Sequence, residues 1–209
     1  MFQIRVGAIT GTCFIVSLGY IEDGPEFGAA FATAWHVLDK IVGTREKTIL
    51  VSADRSVVLD SDSDEVHEVV CWRLGTEAFD AALITVITAA PLLSESELLP
   101  MLPPEIQMAR GAELGWLGFT GLAEPELCFF HGYISGYVTE LPAYLVDGVA
   151  VSGVSGGPAF DNRAHLVGLI SSYIPNQINR YITLPGLLTV VPIGVIRYWM
   201  EHKLQARIT

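Results

Sequence analysis

The feature that most constrains the fold of this chain is an alternation of apolar and polar residues in short bursts, each ended by turn-forming residues. Successive side chains of a β-strand point to opposite faces of a sheet, so this alternation predicts half-buried strands. Gly 20 and Pro 11 among 209 residues supply frequent turns. The predicted strands are Gln3–Ile9, Cys13–Leu18, Gly28–Thr33, Thr48–Ser52, Glu65–Arg73, Ala81–Val86, Glu113–Gly118, Leu127–Tyr137, Tyr144–Val151, His165–Ser172 and Gly186–Val191.

Helical periodicity is confined to two stretches, His36–Val42 and Ile193–Leu204. The segment Ala90–Arg110 holds four prolines and no clear strand, and it separates two strand-rich halves. Many short strands with turns between them are typical of sandwiches and barrels. We therefore expect an all-β fold of two small antiparallel β-barrels, one lobe over residues 1–92 and one over 105–209, with a closing C-terminal helix.

The charge balance argues against a nucleic-acid partner. Lys+Arg 12 against Asp+Glu 23 gives a net charge of −11, and phosphate backbones would repel such a surface. No membrane partner is expected either, because the uncharged runs Val6–Ile21, Ala164–Asn179 and Tyr181–Ile196 are shorter than the roughly 18 apolar residues of a spanning helix. The first of these runs mimics a signal peptide, but glycines and threonines interrupt it, and a pair of strands is the preferred interpretation.

Cysteine and acidic residues give no sign of a metal or cofactor. The three cysteines, Cys13, Cys71 and Cys128, form no metal-binding spacing and cannot all pair, which favours buried thiols in a cytoplasmic protein. The acidic run Asp60–Glu65 resembles the start of a calcium-binding loop, but it lacks the glycine and the final carboxylate of that motif. A solvated hairpin tip is the better interpretation.

Three short segments carry the chemistry of the chain. They are Thr33–Val37 around His36, Phe79–Leu83 around Asp80, and Gly153–Pro158 around Ser155. Each segment alone is a common cap, strand start or tight turn. A serine hydroxyl needs a base within hydrogen-bond reach, and an imidazole that a carboxylate orients is such a base. We therefore expect catalytic roles for His36, Asp80 and Ser155.

The glycines around Ser155 allow backbone N–H groups to take unusual directions. The amides of Gly153 and Ser155 are the expected donors to the oxyanion of a tetrahedral intermediate.

Taken together, these motifs resemble those of the trypsin/chymotrypsin-like serine peptidases, in particular bacterial HtrA-type protease domains without a PDZ module. Thr-Ala-x-His, Asp-x-Ala-Leu and Gly-x-Ser-Gly-Gly-Pro occur here in the His, Asp, Ser order of that family. The resemblance implies two perpendicular six-stranded antiparallel barrels with the site in the cleft between them. It also implies a serine endopeptidase that needs no cofactor or metal and acts on protein or peptide substrates.

The same resemblance suggests how substrate binds. Leu166–Ser171 looks like the strand that pairs with the substrate backbone, so Ser171, Ser172 and Tyr173 are expected binding residues. Ser171 would offer either its carbonyl to substrate or its hydroxyl to Asp80. Val149 falls at the base of the S1 pocket with Ala150 beside it, which implies cleavage after small or medium apolar residues.

One position departs from the family pattern. The residue before the nucleophile is Val154, where zymogens carry an aspartate that pairs with a newly cut N-terminus. We expect no maturation by that route. Two alternatives stay open. One is a trypsin-like regulatory or binding module that is latent until a protein partner activates it, and the other is an enzyme with the same triad that acts on an ester or another acyl compound.

Overall fold

A computed structural model describes residues 1–6, 9–20, 27–38, 48–51, 56–60, 69–73, 79–88, 94–121, 126–140, 142–179 and 182–204. Strands dominate these ranges. In chain order they are β1 Phe2–Val6, β2 Ile9–Tyr20, β3 Phe27–Thr33, β4 Thr48–Val51, β5 Ser56–Asp60, β6 Val69–Arg73, β7 Ala82–Thr88, β8 Glu113–Phe119, β9 Leu127–Val138, β10 Ala143–Gly148, β11 Pro158–Phe160, β12 Leu166–Asn179 and β13 Ile182–Pro192.

The C-terminal half forms the predicted six-stranded barrel. Its strands close in the order β10-β13-β12-β11-β8-β9, and all six adjacent pairs are antiparallel. β11 was not expected from the sequence because it has only three residues, and alternation is not visible over so short a segment. It nevertheless closes the barrel, since Ala159 pairs with both Trp116 of β8 and Gly168 of β12.

The N-terminal half differs from the expected second six-stranded antiparallel barrel. Its described strands form a seven-stranded sheet in the order β4-β5-β1-β2-β3-β7-β6, and closure of that sheet is not confirmed. β1 and β5 are parallel, with Gln3 opposite Ser56 and Val6 opposite Leu59. A parallel pair needs a long crossover connection, and here the chain passes through β2, β3 and β4 before β5 returns to β1.

Two short helices occur among the described residues. Helix α1 covers Trp35–Leu38, and the rest of the predicted helix, residues 39–42, lies outside the described residues. Helix α2 covers Ile193–Trp199 and continues as a π-helical turn over Met200–Leu204, which confirms the second prediction. α2 buries Ile193 and Ile196 against the barrel. None of the described helices has the length and apolar character needed to cross a membrane.

The described part of the proline-rich connection, residues 94–110, contains a 3₁₀ turn at Glu95–Glu97 and no strand, as predicted. It is fixed to the barrel by backbone hydrogen bonds, 2.9 Å from Leu102 N–H to the Leu166 carbonyl and 2.7 Å from Leu166 N–H to the Pro100 carbonyl. Arg197 of α2 also donates to the Leu102 carbonyl. The connection therefore packs against the C-terminal half along its course.

Of the two cysteines whose side chains are described, Cys13 has the predicted burial. Cys13 is fully buried in the core, Cys128 is half-buried, and both are free. Burial raises the pKa of the Cys13 thiol well above its ordinary value, which keeps it protonated and unreactive. The side chain of Cys71, the turn at 22–25 and the acidic run at 61–65 lie outside the described residues.

Candidate active site

Strand pairing brings His36 and Asp80 together. β3 and β7 are antiparallel, and the last pair of their ladder is Thr33 with Ala82. The chain leaves β3 after Thr33 and enters β7 before Ala82, so both flanking segments extend beyond the same end of the β3–β7 pair. Helix α1 begins there at Trp35, so His36 and Asp80 meet although 44 residues separate them in sequence.

The Asp80 carboxylate fixes His36 in place. Its Oδ1 accepts the His36 backbone N–H at 2.8 Å, and its Oδ2 lies 2.7 Å from the ring nitrogen Nδ1. Oδ2 also accepts the Ser171 hydroxyl at 2.8 Å. Of the two roles left open for Ser171 by the sequence, the hydroxyl contact to Asp80 is therefore present. The His36 side chain is 49% exposed and that of Asp80 27%, so the ring is open to solvent while the carboxylate is partly covered.

Opposing effects act on the pKa of Asp80. Burial acts to raise it, but the His36 ring and backbone hydrogen bonds, the His36 charge and the Ser171 hydroxyl together lower it below its usual value. The carboxylate is therefore ionised at neutral pH. An ionised carboxylate that accepts from Nδ1 selects the tautomer of a neutral His36 in which Nε2 carries the basic lone pair.

Residues 152–157, here called the oxyanion loop, take backbone conformations that require glycine. Gly153 has φ +94° and Gly156 has φ +84°. A Cβ at Gly156 would overlap the carbonyl oxygen of Thr12 and the hydroxyl of Thr33, and would lie 2.8 Å from the Ala34 nitrogen. The loop therefore lies against the segment that carries His36, two residues beyond Ala34.

Some backbone N–H groups of the oxyanion loop donate hydrogen bonds within the protein and others do not. Val154, Gly156 and Gly157 each donate to a backbone carbonyl, at 3.3, 2.7 and 2.9 Å. Among the residues that the structure describes, the N–H groups of Gly153 and Ser155 have no acceptor. These two amides are the donors expected from the sequence. A pair of unused backbone donors beside a serine is the chemical requirement for binding an oxyanion.

The expected substrate-binding residues border the same region. β12 bulges between Ile170 and Tyr173, so Ser171 and Ser172 leave the regular ladder with β13. Ser172 is held there by Thr189, whose Oγ1 accepts the Ser172 N–H at 3.0 Å and donates to its carbonyl at 3.0 Å.

β12 also has an open edge. The ladder with β11 ends at Pro158 opposite Leu169, and Ile170 N–H still donates to the Gly157 carbonyl at 2.8 Å. From Ser171 onward no described strand pairs with β12 on that side. Val149 is 60% exposed and Ala150 is half-buried after β10, so both remain accessible.

A second histidine–carboxylate pair lies in the turn between β11 and β12. The Asp161 carboxylate accepts the His165 backbone N–H at 2.8 Å and lies 3.0 Å from its Nδ1. Burial acts to raise the pKa of Asp161, but these hydrogen bonds and that from Arg163 N–H lower it below its usual value. The pair lines a cavity of about 260 Å³. It closes a turn and has no motif around it, so we regard it as structural.

The sequence did not point to Thr12, which the structure places beneath the oxyanion loop, in contact with Gly153 and Ser155. Thr12 is fully buried on β2 and contacts the oxyanion loop from the N-terminal half. A lone threonine in a strand carries no motif, so no sequence signal identified it. In the described ranges no cluster of three or more histidine, cysteine or carboxylate side chains is arranged to hold a metal ion.

The closed barrel, the His36–Asp80 pair and the glycine-rich serine loop define a class of protein, the trypsin-like serine proteases, which are hydrolases. The model of the trypsin-like peptidase domain matches residues 11–169, more than half of the chain. The chain belongs to this family. No match was found among curated proteins.

Solved structures show the same fold at low sequence identity. A serine endoprotease from Yersinia pestis aligns with a TM-score of 0.60 and 16% identity over 95% of this chain and 60% of that one. Rv3671c from M. tuberculosis H37Rv, an inactive serine-to-alanine mutant, gives 0.60 and 16% over 98% and 86%. The HtrA-type protease AlgW with a decapeptide gives 0.57 and 14% over 86% and 51%. The chain thus spans about 60% of the Yersinia protein and about half of AlgW.

Proposed function

We propose that this chain is a serine endopeptidase that uses His36, Asp80 and Ser155 as a catalytic triad. The observation that carries the proposal is the contact of 2.7 Å between Asp80 Oδ2 and His36 Nδ1, in a turn against which the Ser155 loop packs. A carboxylate-oriented imidazole beside a serine in a glycine-rich loop meets the requirements for nucleophilic attack on a carbonyl.

The reaction follows from these roles. His36 Nε2 takes the proton of the Ser155 hydroxyl while the serine oxygen attacks the substrate carbonyl carbon. The tetrahedral oxyanion accepts hydrogen bonds from the amides of Gly153 and Ser155. His36 then returns the proton to the leaving amine, which leaves an acyl-enzyme. Water, deprotonated by His36, attacks the ester and regenerates Ser155.

The open edge of β12 supports an extended polypeptide as substrate. A substrate strand would add to β12 at Ser171 and Tyr173, on the side where no described strand pairs with them, as in other cases of β-strand addition. The backbone groups of Ser172 are instead bonded to Thr189. Val149 and Ala150 carry no charge, which favours small or medium apolar residues before the scissile bond. We place the site between the lobes 1–92 and 105–209 and keep a cytoplasmic location as part of the proposal.

The oxyanion loop bears on the alternative of a module that waits for an activating partner. The Gly153 carbonyl is held by the Thr12 hydroxyl at 2.8 Å, and the Gly153 and Ser155 amides remain free of acceptors in the described residues. A loop held in this form supports an enzyme that is competent without a protein partner.

The proposal is tested by a cleavage profile over a peptide library. The purified protein should cut without additives, with small or medium apolar residues before the cut. Ser155→Ala should abolish cleavage, whereas Ser135→Ala, at an exposed serine of β9, should not change it. Cleavage by the Ser155→Ala variant would contradict the proposed nucleophile. Cleavage by the wild type only after basic residues would contradict the proposed specificity.

A further inference from the structure

Thr12 joins the two halves of the molecule through hydrogen bonds at three of its groups. Its N–H donates to the Ser155 carbonyl at 2.8 Å, and its carbonyl accepts the Thr33 hydroxyl at 2.8 Å. Its own hydroxyl bonds to Gly153 and Phe119. The residue therefore contacts the oxyanion loop, the strand that leads to His36, and the end of β8.

The Thr12 hydroxyl acts as donor and acceptor at the same time. It donates to the Gly153 carbonyl at 2.8 Å and accepts the Phe119 N–H at 2.9 Å. One hydroxyl has one donor and two lone pairs, so both bonds are compatible. Because Thr12 is fully buried, water does not replace either bond when the hydroxyl is removed.

This bond determines the direction of a peptide plane in the oxyanion loop. In a trans peptide the C=O and the following N–H point in opposite directions. The Ser152 carbonyl accepts the Gly121 N–H at 2.6 Å, so the Gly153 N–H points away from Gly121. The Gly153 carbonyl, held by Thr12, fixes the next peptide in the same way. The Gly153 N–H thus takes its direction from the Ser152–Gly153 peptide, and Thr12 fixes the Gly153–Val154 peptide on the other side of the same Cα. Together the two planes hold Gly153 in its positive-φ conformation, φ +94°.

We propose that Thr12 is a positioning residue, which holds the carbonyls of Gly153 and Ser155 and so keeps the backbone conformation of the oxyanion loop, with its Gly153 amide without an acceptor among the described residues, before substrate arrives. The inference rests on the proposed function, because it concerns the oxyanion donors of that reaction. Thr12 acts through Gly153 and does not itself touch substrate. Through Thr33 it also sets the oxyanion loop against the strand that ends three residues before His36.

The chain offers matched variants to test this role. Thr12→Val removes the hydroxyl at nearly constant volume, and Thr12→Ser retains it. Thr120→Val is the control, because the buried Thr120 hydroxyl has no partner among the described residues, although Thr120 is in the segment next to Gly153. If Thr12→Val is insoluble, Thr12→Ala and Thr12→Ser, which differ by the hydroxyl alone, give the same comparison.

The first readout is steady-state hydrolysis of a peptide that the wild type cleaves. Removing one oxyanion donor costs 10²- to 10³-fold in kcat, so misdirecting it should cost between about tenfold and hundredfold. We expect that loss in kcat for Thr12→Val with KM nearly unchanged, rescue to within about threefold by Thr12→Ser, and no loss for Thr120→Val. Wild-type kcat in Thr12→Val, or an equal loss in Thr12→Ser, would overturn the proposal.

The second readout does not depend on activity and separates this inference from the proposed function. In ¹⁵N NMR spectra, the amide resonances of Gly153 and Ser155 should shift in Thr12→Val and stay at their wild-type positions in Thr12→Ser and Thr120→Val. A wild type that cleaves no peptide would overturn the proposed function alone. Unshifted Gly153 and Ser155 resonances in Thr12→Val would overturn the role of Thr12.

Discussion

Asp80 holds His36 at two points, the backbone N–H at 2.8 Å and the ring nitrogen Nδ1 at 2.7 Å. The first bond fixes where α1 begins and the second fixes how the ring is turned. The Asp80 carboxylate therefore has two roles. It holds the backbone where the chain passes from β3 into α1, and it orients the His36 ring so that Nε2 is the basic nitrogen.

Asp80→Asn should lower kcat by about 10³- to 10⁴-fold, because the neutral amide no longer enforces the tautomer in which Nε2 is the unprotonated, basic nitrogen. The measurement is hydrolysis of a cleavable peptide. Asp161→Asn is the matched control, since Asp161 binds the N–H and Nδ1 of His165 in the same way. Equal losses in the two variants would mean that the effect is general destabilisation.

The stability contributed by Asp80 should disappear in acid. Burial acts to raise its pKa, but His36 and Ser171 lower it below the usual value. A group with a lowered folded pKa stabilises the fold above its unfolded pKa of about 3.9, and this contribution is lost as pH falls through the folded pKa. The difference in free energy of unfolding between wild type and Asp80→Asn should therefore narrow below about pH 4. Urea denaturation at a series of pH values from 7 to 2 measures the free energy of unfolding of both proteins. A difference between them that widens in acid would contradict a lowered pKa for Asp80.

Val154 should not tolerate the aspartate that zymogens carry at this position. Val154 is 1% exposed, and its Cβ lies only 2.7 Å from where a Cβ on Gly118 would be. A carboxylate introduced at Val154 would therefore have little space and no contact with water. We expect Val154→Asp to lose about 3–5 kcal/mol of unfolding free energy as an unpaired buried charge. Val154→Ala, which leaves only a cavity, should lose about 2 kcal/mol. Equal denaturation midpoints for the two variants would mean that a cation compensates the aspartate.

Gly156→Ala should destabilise the protein far more than Gly111→Ala, although both glycines have positive φ, +84° and +82°. A Cβ at Gly156 would collide with backbone atoms of Thr12 and Ala34, whereas at Gly111 nothing lies within 4 Å. Gly111→Ala should cost about 1 kcal/mol of backbone strain. Thermal unfolding compares them, and similar melting temperatures would show that the loop yields easily.

The sequence predicted those parts of the site that have local signatures. Glycines at Gly153 and Gly156 mark conformations that other residues rarely adopt, and the alternation of β9 and β10 follows a barrel with one buried face. The sequence left two roles open for Ser171, its carbonyl binding substrate or its hydroxyl binding Asp80. A strand predicted from alternation does not show which group of a residue makes a contact, so the hydroxyl contact to Asp80 became evident only in the structure.

Other parts depend on contacts between distant residues. β5 returns to pair in parallel with β1, a choice that neither strand encodes alone. Thr12 contacts Gly153 across 141 residues, and a buried threonine looks like any other strand residue in the sequence. The domain limits, the location and the roles of the site residues stay predictions.

Labelling with a fluorophosphonate, followed by peptide mass spectrometry, tests the central claim most directly. The reagent reacts with a serine that a neighbouring base activates, so we predict one adduct per chain, on Ser155. Ser155→Ala should show none, and Asp80→Asn should react far more slowly. An adduct on another serine, or equal labelling of Ser155→Ala, would contradict the assignment of Ser155 as the nucleophile.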